Sequence, residues 1–258
     1  MIYITGDTHG EFYPRLREKA LPNTEGDYLI ICGDFGGLWN GSKYEVERLD
    51  WLAKRPFTTL FISGNHENFD MLKEFPIAEW NGGKVQFIRD NIIHLLRGQI
   101  FELEGHTFFT MGGASSHDIS DGILQPNDPD LDEKIKLFER ESPFYRINHV
   151  SWWKEELPSY EEYAEANKNL AAHNHEVDYI ITHCAPTSIA GTITNETYPS
   201  DRLTNYLETL YKTCKFKKWY FGHYHKNLEI DEKMMLIYKN IVRFDTRQEA
   251  IKYLYNIL

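Results

Sequence analysis

The run Met1-Ile-Tyr-Ile-Thr-Gly-Asp-Thr-His-Gly10 sets a short apolar segment directly before a glycine, a carboxylate and an imidazole. Such a segment, stopped by Gly6, reads as a buried strand that ends in a turn. The layout recurs. Strands are expected at 2–5, 28–32, 59–62, 107–111, 178–182 and 218–221, each ending in Gly, Asp, Asn or His. Helical spacing fills the intervals: Tyr44 to Lys54, with a capping-box pattern at Ser42 and Glu45 and a stop at Pro56, and Arg202 to Thr213, with Leu203, Tyr206, Leu207 and Leu210 on one face. Strands alternating with helices predict an α/β fold, in which ligands gather at the carboxyl ends of the strands.

A chain of 258 residues suits one large domain, whose core needs no metal or disulfide to hold it, so a metal site here is expected to be functional. Residues 114–176 are acidic, aromatic and without a convincing strand, and are expected as a mainly helical and loop insertion capping that single domain, with a capping box at Ser159-Tyr-Glu-Glu162 starting a helix to about Ala172. The balance of 39 acidic against 28 basic residues, −11 in all, argues against indiscriminate nucleic-acid binding. Cys32, Cys184 and Cys214 are odd in number and far apart, and read as buried apolar residues. No stretch approaches a membrane span and the chain opens on strand-like sequence, so the cytoplasm is the expected location. The Tyr and Trp content permits a dimer without requiring one.

Five strand ends carry side chains of the metal-ligand type: Asp7 and His9, Asp34, Asn65 and His66, His183, and His223 with His225. Residues two apart in an extended segment point the same way, so Asp7 with His9, and His223 with His225, are each expected to serve one site. Glycine before the ligand permits a sharp turn and leaves room beside an ion. Imidazole and carboxylate without thiolate suit Mn, Fe, Zn or Ni, and a carboxylate such as Asp34 can bridge two ions, so the pattern is dinuclear. Any one of these residues alone is most simply a turn or cap; convergence of all of them by accident is far harder to arrange. His94, His106, His149, His173 and His175 are expected to be surface or structural.

Asp-x-His, Gly-Asp, Gly-Asn-His-Glu, a single His after an apolar strand, and Gly-His-x-His occur in this order in the calcineurin-like metallophosphoesterase superfamily, which the chain resembles from position 7 to 225. The resemblance implies two mixed β-sheets packed as a sandwich and flanked by helices in four layers. It implies two divalent ions, Mn favoured, one held by Asp7, His9 and His225, the other by Asn65, His183 and His223, with Asp34 between them. His66 would contact the phosphate and assist the leaving group. The implied activity is hydrolysis of a phosphodiester or small phosphorylated molecule, a nucleotide included, by in-line attack of a metal-bridging hydroxide.

Protein phosphatases of that superfamily follow the bridging aspartate with Asp-Arg-Gly, whereas Asp34 precedes Phe35-Gly36-Gly37-Leu38-Trp39. That argues against a phosphoprotein substrate and leaves Glu67 or Asp70 to orient His66. Nuclease and Ser/Thr phosphatase remain alternatives, as does a non-catalytic scaffold. Gly112-Gly-Ala-Ser-Ser-His-Asp118 could bring Ser115, Ser116 or His117 to the mouth of the site, with a capping turn as the plain alternative. Trp152 and Trp153 are expected to pin the insertion to the core, and Arg89, Arg97 and Arg202 to form surface ion pairs.

Overall fold

The computed structural model describes residues 1–17, 21, 25–141, 144–195, 199–245 and 250–255. All six expected strands form. β1 (Ile2–Thr5), β2 (Tyr28–Ile31) and β3 (Thr58–Phe61) run parallel, and the first sheet continues through β4 (Ile77–Trp80), β5 (Gly83–Arg89) and β6 (Ile92–Leu95). β7 (Gln99–Leu103) and β8 (His106–Met111) open the second sheet, and β9 (Gly122–Leu124) and β10 (Tyr145–Ile147) pair with each other. β11 (Tyr179–Thr182), β12 (Lys218–Phe221), β13 (Leu228–Glu229) and β14 (Met234–Leu236) complete the second sheet. β15 (Ile241–Asp245) and β16 (Ala250–Tyr255) return to the first, β15 antiparallel to β1. The orders are β16-β15-β1-β2-β3-β6-β5-β4 and β13-β14-β12-β11-β8-β7.

The period-2 alternation of the strands produces the layers. Ile2, Ile4, Ile30 and Leu60 face Phe108, Tyr179, Ile181 and Tyr220 of the other sheet in a core between the two. Their neighbours Tyr3, Leu29, Ile31 and Phe61 point outward and pack under α1 (Phe12–Arg15), α2 (Lys43–Ala53) and α3 (Phe69–Lys73). After α4 (Leu131–Glu141), the opposite layer is α5 (Tyr160–Ala172), α6 (Thr187–Thr194) and α7 (Arg202–Thr213), lying on Phe109, Ile180, Trp219 and Phe221. Each fully buried side chain of this kind contributes roughly 1.5–3 kcal/mol. The result is the expected helix, sheet, sheet, helix sandwich.

Four details differ from the sequence reading. The insertion contains strands, because Gly122–Leu124 and Tyr145–Ile147 pair in parallel although both are too short to show alternation. α5 buries Tyr163, Ala166 and Leu170 in the same core as Phe109 and Trp219, so it belongs to the layer over the second sheet and not to a cap. Ser42 caps Glu45 N–H, but the Glu45 carboxylate turns to the N–H groups of Trp39, Asn40 and Gly41 and leaves that box half made; at α5 the box is complete. Arg97 is buried, not a surface partner: it donates to the Glu155 and Glu156 carbonyls and pairs with Glu162 at 3.2 Å, tying the insertion down. Trp153 does the same as expected, with its Nε1 on Asp70 at 2.7 Å.

Candidate metal centre

Every expected ligand lies just past the carboxyl end of a parallel strand: Asp7 and His9 after β1, Asp34 after β2, Asn65 after β3, His183 after β11, and His223 and His225 after β12. Face-to-face packing of the sheets brings these two sets of strand ends to one edge of the sandwich. The loops are tightly folded there. A Cβ on Gly33, at φ +91°, would lie 2.2 Å from His183 Nδ1, and one on Gly64 would lie 2.0 Å from Asp34 Oδ1, so only glycine fits at either place. His9, Asp34, His223 and His225 are themselves left-handed, with φ between 45° and 71°. The expected pairing of residues two apart is corrected accordingly. Asp7 and His9 do converge, through a curled loop instead of an extended one, while His223 and His225 are turned to different neighbours.

Asp7, His9, Asp34 and His225 each present one donor atom, all within 4.8 Å of one another. His9 Nε2 is 3.1 Å from His225 Nε2, and His225 Nε2 is 3.2 Å from Asp7 Oδ2. His225 also stacks on Tyr238, centroids 4.6 Å apart, a neighbour no motif announced. On the other side of Asp34, His183 Nε2 lies 3.3 Å from Asp34 Oδ1 and 3.2 Å from Asn65 Oδ1. His183 donates Nδ1–H to the Cys32 carbonyl at 2.7 Å, which leaves Nε2 as the free donor atom aimed at those oxygens. His223 holds the Asp7 carboxylate with its backbone N–H at 3.0 Å and sets its ring 5.0 Å from that of His183. Asp34 therefore stands between two groups of donors.

The model of the family described as calcineurin-like phosphoesterase matches residues 1–227. This chain belongs to that family. It is 28% identical to the human lariat debranching enzyme over 146 residues, 48% of this chain and 25% of that one, so the match spans a quarter of the relative's length. Among solved structures, the phosphopantetheinyl hydrolase PptH of Mycobacterium tuberculosis is similar at a TM-score of 0.37 and 16% identity, over 92% of this chain and 89% of that one.

The donor chemistry of this calcineurin-like phosphoesterase fits divalent cations. Asp7 and Asp34 are both essentially inaccessible, and two buried carboxylates this close need compensating positive charge. The electrostatics show the demand. Burial opposes ionisation of Asp34, yet His183, His66 and His9 override it and hold the carboxyl far below its usual range. Burial likewise opposes a charged His183, but Asp34 and Asp7 push it up to about 9. A hydrogen bond to Asp7 raises His225, whereas burial lowers His9, and burial with the nearby His183 lowers His223 strongly.

His66 sits 5.5 Å, centroid to centroid, from His9 and donates its backbone N–H to Asp34 Oδ1 at 2.9 Å. Burial lowers its pKa, Asp34 opposes this, and Arg146 of the insertion lowers it further. Glu67 and Asp70 are corrected here: neither orients the His66 ring. The buried Glu67 carboxyl accepts from the N–H groups of Phe35, Gly36 and Gly64, bracing two ligand loops, and is pushed up to about 8 by burial and by Asp34. Asp70 faces His149 and Trp153. Two insertion residues do reach the centre. Ser116 Oγ accepts from Asn65 Nδ2 at 3.4 Å and donates to the buried Glu156 at 2.6 Å, which fixes the amide with its oxygen towards His183. His117 Nε2 is 3.0 Å from His223 Nε2, whereas Ser115 turns away to Asp201. Arg146, paired with Asp118, and Arg15, which donates to the Gly6 and Tyr238 carbonyls, escaped the sequence reading because no motif surrounds them.

Proposed function

We propose that this chain is a dinuclear metal-dependent phosphoesterase acting on a phosphodiester or small phosphorylated molecule. The observation that carries the reading is the meeting of Asp7, His9, Asp34 and His225 within 4.8 Å, with Asn65 and His183 on the far side of Asp34. Asp7, His9 and His225 would hold one ion, Asn65, His183 and His223 the other, and Asp34 both. Bound there, divalent ions would contribute Lewis acidity that makes a water nucleophilic near neutral pH and polarises the phosphoryl oxygens. The lariat debranching enzyme among the relatives favours a diester.

The protein's own residues do the rest. A cavity of about 400 Å³, lined by Asp34, Asn65, His66, His117 and Lys226, offers room for the phosphoryl group. Burial keeps His66 largely neutral until an anion arrives. A phosphate beside it favours the imidazolium, which then donates its ring proton to the departing oxygen. Asn65, held by Ser116 with its Oδ1 towards His183, would offer a cation a neutral oxygen that leaves its charge undiminished. Described helices include none long and apolar enough to cross a membrane.

The test is elemental analysis of the purified protein together with hydrolysis of bis(p-nitrophenyl) phosphate and p-nitrophenyl phosphate in added Mn²⁺. About two ions per chain and faster turnover of the diester support the reading. Inertness towards both with metal present favours the scaffold instead, and cleavage of oligonucleotides in preference to either favours a nuclease.

A further inference from the structure

His66 lies on the wall of two cavities. One is the 400 Å³ space over the ligands; the other, about 350 Å³, is lined by His9 and His66 together with Phe12, Trp39, Tyr44 and Arg48. That volume is near the lower bound of small-molecule pockets, roughly 300–1,000 Å³. Its lining differs from that of the ligand cavity: the rings of Trp39 and Tyr44, the buried Phe12 and the Arg48 guanidinium surround a single carboxylate, Glu45, which is occupied by backbone N–H groups.

The wall is built, not incidental. The buried Glu45 carboxylate gathers the N–H groups of Trp39 and Asn40 at 2.9 Å each, fixing the backbone that carries Trp39. Trp39 is held edge-on by the buried Trp153, centroids 5.4 Å apart. Arg48 lies 4.9 Å from the centre of the Tyr44 ring and 5.9 Å from that of Phe12, and is steadied by Glu11 at 2.9 Å. Tyr44, by contrast, stands 65% exposed at the rim, where a ligand can cover it.

We propose that this second cavity receives the leaving-group side of the substrate, and that the leaving group carries a flat aromatic ring of the nucleobase kind. The inference rests on the phosphoesterase reading for its orientation: a group protonated by His66 departs on the His66 side, into the space that His66 shares. Rings and a guanidinium favour a stacked planar occupant, and Asn40 and Arg48 in the lining offer polar groups to its rim.

Adenosine is the probe, added to the protein in EDTA so that neither metal nor catalysis enters the result. The six tryptophan indole N–H resonances are followed by NMR, with Trp39→Phe identifying the relevant one. Adenosine should shift the Trp39 signal, and D-ribose should not. Tyr44→Ala, at an exposed position, should weaken binding roughly 5- to 150-fold, the range for losing one stacked ring. No binding, ribose binding as well as adenosine, or unchanged affinity in Tyr44→Ala overturns the proposal. Because the readout needs no turnover, its failure is distinct from a failure of the phosphoesterase reading, which the metal and hydrolysis assays decide.

Discussion

His183 and His94 are both buried histidines on or just beyond strands, and their surroundings treat them in opposite ways. His183, at the ligand edge of the sandwich, has one nitrogen on a carbonyl and the other on the oxygens of Asp34 and Asn65, and is pushed up to about 9. His94, on β6 beneath α3, gives Nδ1–H to Gln86 Oε1 at 2.8 Å, stacks on Phe61, and has no partner for Nε2 among the described residues. Burial, then Arg97, lowers it to about 3. What sets the candidate ligand apart from the structural histidine is the buried carboxylates that demand positive charge, not burial itself.

The harshest way to break this contrast is to remove the shared carboxylate. Asp34→Asn should lose metal from both groups of donors and reduce hydrolysis below detection; retained metal with activity intact would take Asp34 out of the centre. His66→Gln comes next, with kcat for the diester falling about 10²–10⁴ while elemental analysis still finds the ions. Ser116→Ala frees the Asn65 amide and should weaken metal affinity by about 10–100-fold, measured by chelator competition, with the loss confined to one of two ions. Equal weakening of both would show that Ser116 serves the whole loop cluster.

The smallest effect sharpens the contrast from the structural side. The neutral form of His94 is favoured in the fold, so the unfolded chain takes up its proton first as pH falls below about 6.5. The corresponding stability is full above that pH and drains away towards pH 3, by about 2 kcal/mol at pH 5. Urea denaturation at pH 7 and pH 5 should therefore show His94→Gln losing less stability than the unaltered protein over that interval. An identical loss in both would mean that His94 is not kept neutral.

How much could be read in advance varies with the physics behind each element. β1, β2, β3, β8, β11 and β12 were legible because each has a largely buried, apolar run, five ending in a ligand-bearing turn and β8 in Gly112-Gly113. β4 to β7 were missed although Asn81-Gly82 and Glu104-Gly105, at φ 46°, 93°, 52° and 80°, mark the β4–β5 and β7–β8 hairpins. Those turns were a usable signal; the irregular burial of β4 and β5 hid it. At the site, Asp7, Asp34 and the histidines stood out because glycine and strand flank them. Ser116 and His117 were named with a capping turn as the alternative, and Glu156 and Arg146 were not named at all, since their position depends on how an insertion with two very short strands folds back, which no local pattern encodes. Glu67 was misassigned for a related reason: adjacency to His66 suggested a side-chain partner, but its buried carboxyl is needed by three backbone N–H groups.

On the proposed reading, the strand ends of the two sheets hold a pair of cations across Asp34. Crystals soaked in Mn²⁺ and measured at the manganese absorption edge test it directly. Two anomalous peaks about 3.5–4 Å apart, on either side of the Asp34 carboxylate, are the predicted result. A map with no peak at this edge of the sandwich, or with manganese bound only elsewhere, would contradict it.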